Sequence, residues 1–108
     1  MVSKRTKACA ITPKVKKAVL ERDGHACIFC KTIYANAEAH VVPRSKGGLG
    51  VEKNIITVCR ICHDKMDHTT QRKKMLEFAK NYLRNIYDDW KEEDLIYVRF
   101  NKRTTTEE

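Results

Sequence analysis

No stretch of this chain approaches the ~18 consecutive apolar residues that a membrane-spanning helix requires, which excludes an integral membrane protein of the helical kind. There is no internal repeat beyond a pair of Cys-x-x-Cys units and no low-complexity tract. Glycine numbers only 4, so collagen-like fibres are excluded, and no heptad pattern supports a coiled coil. The basic N-terminus is not followed by an apolar segment with a small-residue cleavage site. No secretory signal is therefore visible, and a reducing, cytoplasmic setting is expected. Acid is missing from one end: residues 1–20 hold Lys4, Arg5, Lys7, Lys14, Lys16 and Lys17 but no Asp or Glu.

What is present is the composition of one small globular domain, 108 residues with 42% hydrophobic and 33% charged side chains. Lys and Arg number 22 against 14 acids, a formal charge of +8, which favours a polyanionic partner with nucleic acid the first candidate. The opposite bias is local: Asp88, Asp89, Glu92, Glu93 and Asp94 stand against Lys91 alone, a run that would repel phosphate.

Thr12-Pro13 reads as an N-cap with proline at the first helical position, and Gly24 stops a helix predicted over 13–23. Ala39 to Val42 reads as a short strand ended by Pro43, and Ile55 to Val58 as a second. Between them Gly47, Gly48 and Gly50 predict a flexible loop over 44–53. A short helix is expected from Arg60 to Asp67. Met75, Phe78, Ala79, Tyr82, Leu83 and Ile86 recur at helical spacing and predict an amphipathic helix over about 70–87, its stripe facing the core. Leu95 to Phe100 reads as a last strand or extended tail. Residues 1–12 form a basic arm, 13–100 the domain, and 101–108 a frayed tail.

Five cysteines in so short a chain, in a reducing compartment, are metal ligands or free thiols rather than disulfides. Cys27-x-x-Cys30 and Cys59-x-x-Cys62, with 28 residues between the pairs, can place four thiolates around one Zn²⁺. Such a site has no open position, so this zinc is structural and any chemistry must come from other residues. A redox role for the pairs lacks the surrounding βαβ pattern. Cys9, in the basic arm, reads as a bystander thiol.

The segment Glu38-Ala39-His40-Val41-Val42-Pro43-Arg44-Ser45-Lys46-Gly47-Gly48, then Asn54, then Cys59-Arg60-Ile61-Cys62-His63, resembles the HNH endonuclease family, and its zinc-containing branch in particular. The likeness spans about 13–68, includes Glu21-Arg22-Asp23-Gly24 ahead of the first Cys pair, and is nearest the small stand-alone proteins of phages and prophages. It implies an α+β fold: a ββα-metal, treble-clef-like core over 25–68 with a structural zinc site of four cysteines and flanking helices. It implies hydrolysis of DNA phosphodiester bonds with one catalytic divalent ion, Mg²⁺, Mn²⁺ or another transition metal. By the same resemblance His40 is the general base, His63 a ligand of the catalytic ion, and Asn54 a brace for the loop that orients the base.

One position departs from the family. Many members carry Asp or His immediately before the first His, where this chain has Ala39. Asp67, one helical turn beyond His63, is the leading substitute. Glu38, His68, His40 itself and water are the others. Arg44, Lys46, Lys53, Arg72 and Lys73 are candidate DNA contacts. Each residue taken alone also has a plain structural reading, His40 as a half-buried strand histidine, Asn54 as a turn residue, the cations as solvated surface. No recognition helix is evident, so low sequence specificity is expected, with either nicking or double-strand cleavage. Relatives of this type suggest phage DNA processing or packaging, with terminase proteins as partners. The alternative is a zinc-stabilised nucleic-acid-binding module, or an accessory packaging subunit, without nuclease activity of its own.

Overall fold

The computed structural model describes residues 4–98. Helix α1 runs Lys4–Cys9 and α2 Pro13–Arg22; strand β1 is Ala35–His40 and β2 Ile55–Cys59; α3 is Arg60–His68 and α4 Arg72–Ile86. The N-cap of α2 forms as expected, with the Val15 N–H donating to Thr12 Oγ1 at 3.3 Å. β1 and β2 pair antiparallel, Ala35 opposite Cys59 and His40 opposite Ile55. The chain passes from β2 into α3 without a loop, so β1, β2 and α3 form a ββα unit.

The first strand lies earlier than the expected 39–42. Three alanines gave it no β-propensity to read. It ends at His40 because the next backbone groups have other partners: the Val41 N–H donates to the Asn54 carbonyl at 2.9 Å, and the Val42 N–H donates to Asn54 Oδ1 at 2.8 Å. The strand is also bulged. Ala37 faces Thr57 and Ala39 faces Ile56, leaving Glu38 as the extra residue. In an unbroken strand, residues two apart share a face. Here Ala37 packs with Val19 and Ile55, on the α2 side, whereas Ala39 joins Ile56, Met66, Ala79 and Leu83 below α3 and α4.

The segment expected as a flexible loop is closely fitted. It carries short 3₁₀ turns at Arg44–Lys46 and Glu52–Asn54. A Cβ on Gly48 would overlap the Val42 carbonyl, so glycine serves close approach here more than flexibility. Residues beyond α4 return to this loop: the Leu49 N–H donates to the Leu95 carbonyl at 2.8 Å and the Tyr97 N–H to that of Gly47 at 2.7 Å. In place of the last strand there is a 3₁₀ turn, Glu92–Leu95, and an isolated bridge from Ile96 to Gly48; residues 99–108 of the expected strand and frayed tail lie outside the described residues.

α4 supplies the stripe its spacing predicts, with Ala79 and Leu83 buried, although Phe78 and Ile86 stay partly exposed. Phe78 meets Phe29 at a tilt of 43°, 5.4 Å between ring centres, and Trp90 is buried with its indole N–H on the Lys53 carbonyl at 2.7 Å. A polar network ties α2 to both. Arg22 donates to the carbonyls of Glu52 and Ile55, each at 2.7 Å, while Asp23 accepts from the Tyr82 hydroxyl at 2.6 Å and the Thr57 N–H at 3.0 Å. No helix among the described residues is long and apolar enough to cross a membrane.

Candidate active site

Cys27, Cys30, Cys59 and Cys62 bring their sulfurs within 4.8 Å of one another, and Cys30 and Cys59 lie 3.6 Å apart. Bonds of about 2.3 Å to a tetrahedral zinc require sulfurs about 3.8 Å apart, so the four fit that ion. The first pair sits on a tight turn in which the Lys31 N–H donates to the Cys27 carbonyl at 3.0 Å and Lys31 takes a left-handed φ of 70°. The second pair caps α3: Cys59 Sγ accepts the Cys62 N–H at 3.4 Å. Burial works against ionising Cys27, but the backbone N–H groups of Cys30, Cys59 and Phe29 outweigh it and hold its thiol at about 7. Burial and the neighbouring thiols push Cys62 well above the usual thiol range. Uncompensated thiolates therefore repel one another here, which a divalent cation relieves.

A cavity of about 260 Å³ opens between β1 and helices α3 and α4, lined by Glu38, His40, Arg44, His63, Asp67 and Arg72 among others. The strand and helix of the ββα unit thus bring both histidines to one place. His40 Nε2 lies 2.8 Å from the Cys9 carbonyl oxygen. A carbonyl only accepts, so Nε2 carries the proton and Nδ1 of the neutral ring is left with a free lone pair. Burial lowers the His40 pKa, the hydrogen bond to the Cys9 carbonyl opposes this, and the neighbouring Arg44 and His63 side chains lower it further. The ring is therefore neutral at neutral pH, as a proton acceptor must be.

His63 Nε2 is 3.2 Å from Asp67 Oδ2, one turn along α3. Glu38, pushed out by the bulge, lines the same cavity, whereas Ala39 is fully buried. Acidic oxygen thus reaches the cavity from the position before Ala39, not from Ala39 itself. Among the described residues only the four cysteines gather three or more metal-type ligand atoms closely; at the cavity His63 and Asp67 form a two-residue pair, and Glu38 lines the same space without joining them in a cluster.

Asn54 is fully buried and spends its whole amide on the loop: Oδ1 accepts from Val42, and Nδ2 donates to the carbonyls of Val42 at 3.2 Å and Leu49 at 2.8 Å. Of the five candidate DNA contacts, Arg44 and Arg72 line the cavity; Lys46, Lys53 and Lys73 do not. Lys53 is paired with Asp89 at 2.9 Å. His68 does not line the cavity either.

Two participants escaped the sequence reading. The Cys9 carbonyl is one: its thiol stays outside the four-cysteine cluster, as expected of a bystander, but the residue is buried and its backbone meets His40. Arg5 is the other: its guanidinium donates to the carbonyls of Arg44 at 3.1 Å and Ser45 at 3.0 Å. A cavity of about 240 Å³ lies between α1 and this turn and shares Arg44 with the first.

A ββα unit stapled by four cysteines, with two histidines on one cavity, defines the class as a zinc-site nuclease fold. The HNH endonuclease family profile matches residues 27–79, which contain every one of those groups. Anaredoxin of Nostoc sp. (strain PCC 7120 / SAG 25.82 / UTEX 2576) is 32% identical over 53 residues, covering 48% of this chain and 70% of that protein. The chain belongs to the HNH endonuclease family, whose substrate is DNA.

Proposed function

We propose that this protein hydrolyses DNA phosphodiester bonds with the help of one divalent ion, and with low sequence preference. The observation that carries the reading is the His40–Cys9 hydrogen bond at 2.8 Å, because it leaves Nδ1 as the free acceptor of a neutral imidazole on a residue that lines the same cavity as His63 and Asp67. His40 takes the proton of the attacking water at Nδ1. Arg44 and Arg72, on the same cavity, hold the flanking phosphates by charge and hydrogen bonds, contacts that carry no base information. His63 and Asp67 would hold the divalent ion, an imidazole-plus-carboxylate pair that suits Mn²⁺ or Mg²⁺, and Glu38 on the same cavity would offer a further carboxylate. When bound there, the ion neutralises charge on the phosphate and the leaving oxygen. Asn54 keeps the loop between His40 and β2 in place.

Conversion of supercoiled plasmid by zinc-loaded protein, scanned over Mg²⁺, Mn²⁺, Co²⁺ and Ni²⁺ with His40→Ala alongside, tests the reading. Nicking that depends on the ion and disappears in the variant is the expected result. DNA retarded on a gel but never cut, whatever the ion, would instead establish a binding module. Phage DNA processing, with terminase proteins as partners, rests on the resemblance of the motif alone; a pull-down against packaging proteins tests it.

A further inference from the structure

We propose that the amino-terminal helix α1 is a working part of the active site, with Cys9 as a positioning residue whose carbonyl fixes the tautomer and orientation of His40. The inference rests on the nuclease reading of His40. Cys9 precedes the family match, which begins at residue 27, and stands 31 positions before His40.

α1 has six residues, too few to be stable alone, and no side chain of it belongs to either apolar cluster. Polar contacts hold it instead, and they converge on the loop that follows β1. Arg5 binds the carbonyls of Arg44 and Ser45, and the Gly50 N–H donates to the Ala8 carbonyl at 3.0 Å. The third contact is the one from His40. Gly50 is fitted to this strap: a Cβ there would overlap the Ala10 carbonyl and crowd that of Cys9 at 3.0 Å. A short helix whose one buried side chain is Cys9, tied at both ends to the catalytic loop, delivers one acceptor to one imidazole. An orienting partner of this kind typically accounts for 10–100-fold in activity.

The test uses the full-length, zinc-loaded protein with Gly50→Ala, which displaces the strap without touching His40, and Arg5→Ala, which frees its outer end. Two quantities are read: the His40 tautomer from ¹⁵N–¹H two-bond NMR correlations, and kcat and KM for plasmid nicking. The unaltered protein should show the Nε2–H tautomer alone. Gly50→Ala should show a mixture, with kcat down about tenfold and KM within about twofold. Arg5→Ala should move both readouts the same way by less, and it decides the matter if Gly50→Ala fails to retain zinc. A single Nε2–H tautomer with unchanged kcat in the folded variants would overturn the proposal. If the unaltered protein cuts nothing with any ion, the nuclease reading fails separately. The tautomer then still decides whether the strap sets His40.

Discussion

Asn54 grips Val42 by both its backbone groups, accepting from the N–H at 2.8 Å and donating to the carbonyl at 3.2 Å. This pairing diverts the chain from the ladder just past β1, and so sets where His40 stands at the strand's end. Replacing Asn54 with Ala strands the Val42 groups in the buried interior and takes the donor from the half-buried Leu49 carbonyl. The expected cost is about 2–4 kcal/mol of stability by urea unfolding. Asn54→Asp should be at least as damaging, because a carboxylate would face two carbonyls with no proton to offer. In either variant, nicking should fall further than the folded fraction does, since the loop carrying Arg44 is released.

Ala39 invites repair by Asp, the residue many relatives carry. Repair should fail. Ala39 is fully buried among Ile56, Met66 and Leu83, so Ala39→Asp places an unpaired carboxyl in the core at about 3 kcal/mol or more. Thermal unfolding reads this directly. The acids that line the cavity are Glu38, on the bulge, and Asp67, on α3: Glu38→Gln and Asp67→Asn should each weaken Mn²⁺ activation about tenfold, read as the ion concentration giving half-maximal nicking, with melting temperature nearly unchanged because both side chains are exposed.

That contrast marks what the sequence reveals and what it hides. The clustering of the four cysteines was legible because Cys-x-x-Cys spacing is local chemistry, and the stripe of α4 because burial imposes its period. The bulge was not. Nothing in Ala37-Glu38-Ala39 announces that two alanines two apart will face opposite layers, and that register decides which residue can supply an acid to the cavity. Lys53 looked like a free cation beside the motif, but its partner Asp89 lies 36 residues away. The Cys9 contact is made by a backbone carbonyl, a group every residue carries, so no side chain pointed to it. Gly50 was the one trace, and it reads equally well as a turn.

The cysteine site should make folding depend on metal and pH together. Zinc displaces protons from the thiols, and Cys62 is held well above the ordinary thiol range by burial and its neighbours. Zinc affinity should therefore fall steadily as pH drops, steeply once it passes about 7, where Cys27 begins to bind its own proton. Stripping the ion with a chelator at neutral pH should lower the melting temperature by tens of degrees or abolish the transition, because the staple joins the turn before β1 to the start of α3. Cys27→Ser should behave like stripped protein even with zinc in excess. A melting curve indifferent to chelator would remove the structural role of the site.

Acid sensitivity should also come from Asp23. Its side chain is fully buried, and burial alone would raise its pKa. Arg22 at 2.7 Å, the Tyr82 hydroxyl at 2.6 Å and the Thr57 N–H at 3.0 Å favour the charged form more strongly and hold it below the ordinary carboxylate value. A carboxylate depressed in the folded state contributes stability that is complete above the unfolded pKa, about 3.9, and is lost as pH falls through the folded one. The denaturant midpoint should thus hold steady down to about pH 5 on this group's account and drop below about pH 4. In Asp23→Asn the midpoint should already be lower at pH 7, because Arg22 is left buried without its counter-charge, and the further drop in acid should shrink. Equal acid slopes in the two proteins would show that the Arg22–Asp23–Tyr82 network does not couple α2 to α4 through charge.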